Sequence, residues 1–114
     1  SQIVPKVLLL FEKALILDPK NFTLATDTAM IYLATSPFKA KEAINAWNKA
    51  LSLAPDIRSK EGVRIHLARI HARIGEPKIA QKLLLDVRDP NFNQLKEEIL
   101  KKIDSLPSTN STSQ

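Results

Sequence analysis

An internal repeat constrains this chain more than any other feature. Displaced by 36 residues, Phe11–Pro19 (FEKALILDP) lies over Trp47–Pro55 (WNKALSLAP), with five of nine positions identical. A period of this size marks a structural unit that cannot bury its apolar face alone and must stack on a neighbour. Both copies end the same way. An aromatic stands three residues ahead of an alanine, Phe11 with Ala14 and Trp47 with Ala50, and Pro19 or Pro55 comes after. Proline lacks the N–H donor and pushes its predecessor out of the helical region, so each copy predicts the last turns of a helix.

The chain between and after the copies divides by the same signals. A helix is expected over residues 22–34 with Asn21 as its N-cap, then a break at Ser36-Pro37, with Ser36 free to cap the next helix. A second helix is expected over 38–53, with Ala43, Ile44, Trp47, Ala50 and Leu51 at three- and four-residue spacing. The next, over 59–74, carries two apolar stripes: Val63, Leu67, Ile70 and Ile74 on one, Ile65, Ala68 and Ala72 on the other. Two stripes mean packing on two sides, as in an inner layer of stacked helices. Gly75-Glu76-Pro77 stops it and restarts a helix over 77–88, which Asp89-Pro90 ends. Beyond lies a helix with Phe92, Leu95, Ile99, Ile103 and Leu106 on one stripe, and Glu97–Lys101 and Glu98–Lys102 paired on the opposite, exposed side.

These residues resemble the tetratricopeptide repeat, a helix–turn–helix unit of about 34 residues that stacks into a right-handed superhelix. In the middle unit Ala29 and Tyr32 match the small residue and tyrosine of the first helix, and Ala43, Trp47, Ala50 and Pro55 match the series of the second. In the next unit Ala68, His71, Gly75, Ala80 and Leu84 fall at corresponding places, with histidine for the tyrosine and Val87 for the second small residue. The departures are a lengthening around Ser36-Pro37 and an extra turn segment at Asp56 to Lys60. The resemblance implies an all-α right-handed solenoid over residues 1–106: a half repeat at 3–18, full repeats at 21–55 and 58–90, and a capping helix at 92–106. Residues 107–114 read as a disordered tail, having nothing to bury. The first helix is apolar nearly all round, from Ile3 to Leu17, so a further helix of a longer array, or a second copy, is expected to cover it.

Composition excludes several chemistries. With no cysteine and two glycines, disulfides, thiolate metal sites and a phosphate-cradling loop are ruled out. Apolar runs such as Val7 to Phe11 fall far short of the roughly 20 residues of a membrane span, so no membrane insertion is expected. Lack of cysteine fits a reducing cytosol without requiring it, and no signal-peptide pattern is present. His66 and His71 are five apart and point in different directions on a helix, and the carboxylates read as single exposed groups. No catalytic residues, metal site or cofactor is expected.

The charge is more informative. Residues 58–88 hold eight basic side chains against three acidic ones, an excess equal to the whole net charge of +5. Arg69 and Arg73, one turn apart, share a helix face with His66. The resemblance implies that Gly62, Ile65, Arg69, Ala72 and Arg73 line a concave groove for an extended peptide or helix, continued by Thr23, Thr26, Met30, Leu33 and Ala34 in the middle unit. The candidate partner-binding residues are therefore Thr26, Met30, Leu33, Ile65, His66, Arg69, Ala72 and Arg73. The expected function is a non-catalytic scaffold that binds a peptide or helix in this groove. Arg69 and Arg73 read either as bidentate captors of a carboxylate, which would give the protein or peptide partner an acidic character, or as a solvated helix face whose stems cover apolar neighbours. The competing readings are a basic helical-repeat nucleic-acid binder and a purely structural segment of a larger repeat protein. Against the former stands the lack of aromatics beside the arginines on which bases could stack.

Overall fold

The computed structural model describes residues 3–105 and contains no strand among them. Six α-helices run in order: α1 (Ile3–Leu17), α2 (Phe22–Ala34), α3 (Ala40–Leu53), α4 (Ile57–Arg73), α5 (Pro77–Leu85) and α6 (Asn93–Ser105), with a 3-10 turn at Pro90–Phe92 before the last. Leu106 and the tail at 107–114 lie outside the described residues.

The helix ends obey local chemistry, with three departures from expectation. Asn21 caps α2 as expected, its Oδ1 accepting from the Leu24 N–H at 2.9 Å. Ser36 does not cap α3. It forms a cis peptide with Pro37, and α3 starts at Ala40 after Lys39, which makes no side-chain capping bond. Asp56 to Lys60 is not a turn insertion but the cap and first turn of α4: Asp56 Oδ1 accepts from the Ser59 N–H at 2.8 Å. The same bond holds the Asp56 carboxyl below its ordinary pKa. Finally, α5 ends at Leu85, short of the expected residue 88, because the Arg88 and Asp89 N–H groups turn to Glu61.

Between α4 and α5, Gly75 sits at φ 83°, and the Glu76 N–H reaches back to the His71 carbonyl at 2.8 Å. Only glycine adopts this left-handed conformation without strain. Nothing lies within 4 Å of the place a Cβ would occupy. Gly75→Ala is therefore expected to cost about 1 kcal/mol through the backbone alone, measurable as a shift in urea midpoint with unchanged m-value.

Packing separates into two cores that meet at α4. Val63, Leu67 and Ile70 join Trp47 and the alanines 25, 29, 43 and 50 in the first. Ile65, Ala68 and Ala72 join Ala80, Leu84, Val87, Ile99 and Ile103 in the second. These are the two stripes of the sequence, except that Ile74, past the end of α4, stands exposed. Small residues let the helix axes approach, and Trp47 fills the space they leave. Each helix packs on its neighbours in sequence, and α4 also packs on α6. The result is elongated, 47 × 33 × 23 Å. Its radius of gyration is 15.1 Å, against about 13 Å for a compact chain of 100 residues.

Further polar contacts complete the frame. His71 Nδ1 meets Glu76 Oε1 at 2.7 Å, and the Tyr32 hydroxyl donates to Glu12 between α2 and α1. That bond, burial and the nearby Glu12 and Glu42 charges push the Tyr32 pKa up to about 12. On α6 neither expected glutamate–lysine pair closes; Glu98 accepts from Gln94 instead, at 3.5 Å. Helix α1 buries no residue fully and leaves Ile3, Leu9, Leu10, Ile16 and Leu17 exposed.

Candidate ligand groove on helices α2, α4 and α6

Three helices contribute to one groove. Met30 and Leu33 of α2 face His66, Arg69, Ile70 and Arg73 of α4 across a cavity of about 210 Å³. Arg69 and Arg73 also line a second cavity of about 300 Å³, with Ala72 beneath and Ile99, Lys102 and Ser105 of α6 as its far wall. The shared arginines make the two cavities one continuous surface. Every contributor repeats at three- or four-residue spacing on its helix, so each helix offers one ridge.

Of the residues anticipated from sequence, Met30, Leu33, His66, Arg69, Ala72 and Arg73 come together here. Two do not. Ile65 is 2% exposed within the second core, because α6 covers the face of α4 from which it projects. Thr26 lines neither cavity, and its hydroxyl donates to the Thr23 carbonyl at 2.8 Å. Sequence reasoning misses Ile70, Ile99, Ser105 and above all Lys102, which the α6 pattern places on the exposed side. The α4–α6 packing that brings Lys102 to the arginines joins helices with another between them in sequence, so no local pattern signals it.

The groove is positively charged and has no carboxylate among its lining residues. Among the described residues the ion pairs within 4 Å are Arg58–Asp89 and His71–Glu76, so Arg69, Arg73 and Lys102 have none. Two like charges one turn apart on a helix cost about 0.2–0.5 kcal/mol in themselves. Phe38 orients one of them, with the Arg73 guanidinium carbon 3.8 Å from the ring centroid.

His66 lines the smaller of the two cavities, between α2 and α4. Its ring stacks on Trp47 at 4.2 Å between centroids and 15° between planes. The stack supplies face contact but no hydrogen bond, and both His66 Nδ1 and Trp47 Nε1 are buried without a partner. Burial first, and Arg69 second, hold the His66 pKa below 6.5. The imidazole is therefore neutral at neutral pH and adds no charge to the groove.

The shift has a consequence for stability. Well above pH 6.5 His66 is neutral in both folded and unfolded chains. As pH falls, the unfolded chain takes the proton first, so stability declines until the lower folded-state value is passed. Between about pH 7 and pH 5, His66→Phe is expected to show a flatter stability profile than the wild type in urea titrations. Parallel profiles would contradict the buried, neutral imidazole.

A larger concavity of about 640 Å³ lies elsewhere, between α1, α2 and α3, lined by Glu12, Ile16, Tyr32, Glu42 and Ala46 among others. Size favours it as a site, but its charge is mixed: Glu12 is engaged by Tyr32, and Glu42 and Lys49 are of opposite sign. The α2–α4–α6 groove carries charge of one sign and is the better candidate. Among the described residues no three His, Asp or Glu side chains gather as a metal site requires. No helix among them is long and apolar enough to cross a membrane. Searches against known protein families, curated proteins and solved structures found no match.

Proposed function

We propose that this chain is a non-catalytic protein-interaction module of the tetratricopeptide-like solenoid type, and that it holds an acidic peptide or helix in the α2–α4–α6 groove. The 36-residue self-similarity, the doubly packed α4 and the small–aromatic–small series around Trp47 support the solenoid reading. One observation carries the binding reading: Arg69, Arg73 and Lys102 converge from two helices on one cavity, unpaired, beside the apolar wall of Met30 and Leu33. A ligand with anionic groups next to an apolar residue would compensate the first and cover the second.

A panel of labelled acidic, neutral and basic amphipathic peptides, monitored by fluorescence anisotropy, tests this. Acidic members are expected to bind in the micromolar range, about 8 kcal/mol. Arg69→Glu with Arg73→Glu should weaken them by tenfold or more, roughly 1.4 kcal/mol, at unchanged helicity. Equal affinity for basic peptides would overturn the reading. Preference for an oligonucleotide, with the steep salt dependence of phosphate-backbone binding, would replace it.

A further inference from the structure

The charge at the junction of α4 and α6 exceeds what a carboxylate can use. Arg69 and Arg73 project from successive turns of α4, and Lys102 joins them from α6 across a cavity of about 300 Å³. None has a carboxylate partner among the described residues. Arg73 lies over Phe38, its guanidinium carbon 3.8 Å from the ring centroid, and donates no side-chain hydrogen bond within the described residues. A carboxylate is a planar monoanion that fills one guanidinium fork. It would leave the other two cations uncompensated. A phosphate monoester carries about −1.5 to −2 at neutral pH and offers three strong acceptor oxygens. That matches three cationic donors arriving from two helices. The cavity's apolar lining, Ala72 and Ile99, suits the short stalk of a serine or threonine, and the adjoining wall of Met30 and Leu33 suits an apolar residue of the same segment.

We propose that the α4–α6 cavity binds a phosphorylated serine or threonine of a partner protein, with Arg69, Arg73 and Lys102 sharing its oxygens. The proposal rests on the groove reading above and specifies its ligand. Single-stranded nucleic acid also presents phosphate, but as monoanionic diesters beside bases that are normally held by exposed aromatic faces. The rings here are occupied: Trp47 is 1% exposed and carries His66 on its face, and Phe38 carries Arg73.

The test is an NMR titration of the isotope-labelled chain with four probes in turn: N-acetyl-phosphoserine methylamide, N-acetyl-glutamate methylamide, a short oligothymidylate, and the tightest acidic peptide of the panel. Backbone amides of α4 and α6 and the arginine Nε–H signals are read. The phosphoserine probe is expected to move the signals of Arg69, Arg73 and Lys102 and to bind about tenfold tighter than the glutamate probe. Lys102→Gln, an exposed change, should weaken the phosphoserine probe by a clearly larger factor than the glutamate probe and so remove most of that advantage. Equal affinity of the phosphoserine and glutamate probes would overturn the proposal. So would a Lys102→Gln variant that keeps the difference, or oligothymidylate binding tighter than both small probes. If the acidic peptide moves the groove while phosphoserine does not, the phosphate proposal fails and the groove reading stands. If no probe moves it, both fail.

Discussion

Trp47→Ala is expected to lower the unfolding free energy by about 3–5 kcal/mol. Trp47 is 1% exposed and is the largest side chain of the first core, which otherwise consists largely of alanines 25, 29, 43 and 50 with Val63, Leu67 and Ile70. Four of its buried neighbours are alanines, which cannot reach into the vacancy. An alanine has no side-chain length with which to move in, so most of the indole's volume remains as cavity. A domain of this size has roughly 5–15 kcal/mol of total stability, so the variant would be marginally folded at best. The effect also reaches the groove, since His66 loses the ring on which it stacks. Urea denaturation monitored by circular dichroism measures it, and a loss below about 1.5 kcal/mol would show that the cavity refills in a way this packing does not permit.

Glu61→Ala should cost about 2–3 kcal/mol, although nothing near Glu61 in sequence sets it apart from a surface acid. The residue is 4% exposed, and Oε1 accepts from the N–H groups of Arg88 at 3.1 Å and Asp89 at 2.9 Å. Hydrogen bonds to an ionised acceptor are worth about 1.5–3 kcal/mol, and losing the acceptor leaves two partly buried donors unsatisfied. The loop it holds leads directly into α6. Asp89 caps the 3-10 turn by accepting from the Asn91 N–H, and Lys96 ties α6 to the Val87 carbonyl at 2.6 Å. Glu61 thus anchors the segment that leads into the helix carrying Lys102. Glu61→Gln keeps a neutral acceptor and should cost less than half as much, about 1 kcal/mol. Hydrogen exchange at the Arg88 and Asp89 amides should accelerate in the alanine variant and much less in the glutamine one. Equal costs for both variants would mean that the carboxylate's packing, rather than its bonds, matters.

Sequence distance separates the features that are legible in the chain from those that are not. The two stripes of α4, the Asn21 cap and the Gly75-Glu76-Pro77 boundary are encoded within a few residues of where they act. They appear in the structure nearly as expected. The displaced helix starts reflect competition between local options. Asp56 is a cap candidate as good as Asn21, but the repeat alignment makes its segment look like a turn. Glu61 and Lys102 are illegible for another reason. Glu61 sits between Lys60 and Gly62 and becomes buried only when Arg88 and Asp89 fold over it, 27 and 28 residues on. Lys102 reaches the groove only because α6 packs on α4, and that same packing withdraws Ile65 from it. Half of the groove thus depends on one helix-on-helix contact that has no local signature.

The α2–α4–α6 groove is proposed as the surface by which this chain holds a partner protein. The most direct measurement is retention from nuclease-treated host lysate by three forms of the chain: wild type, Arg69→Glu with Arg73→Glu, and a control with the same charge change placed away from the groove, Lys20→Glu with Lys78→Glu. All three should show equal helicity. Protein partners should be retained by the wild type and the control and lost from the groove variant. Partners retained equally by all three forms, or lost equally from both variants, would contradict a binding role for the groove.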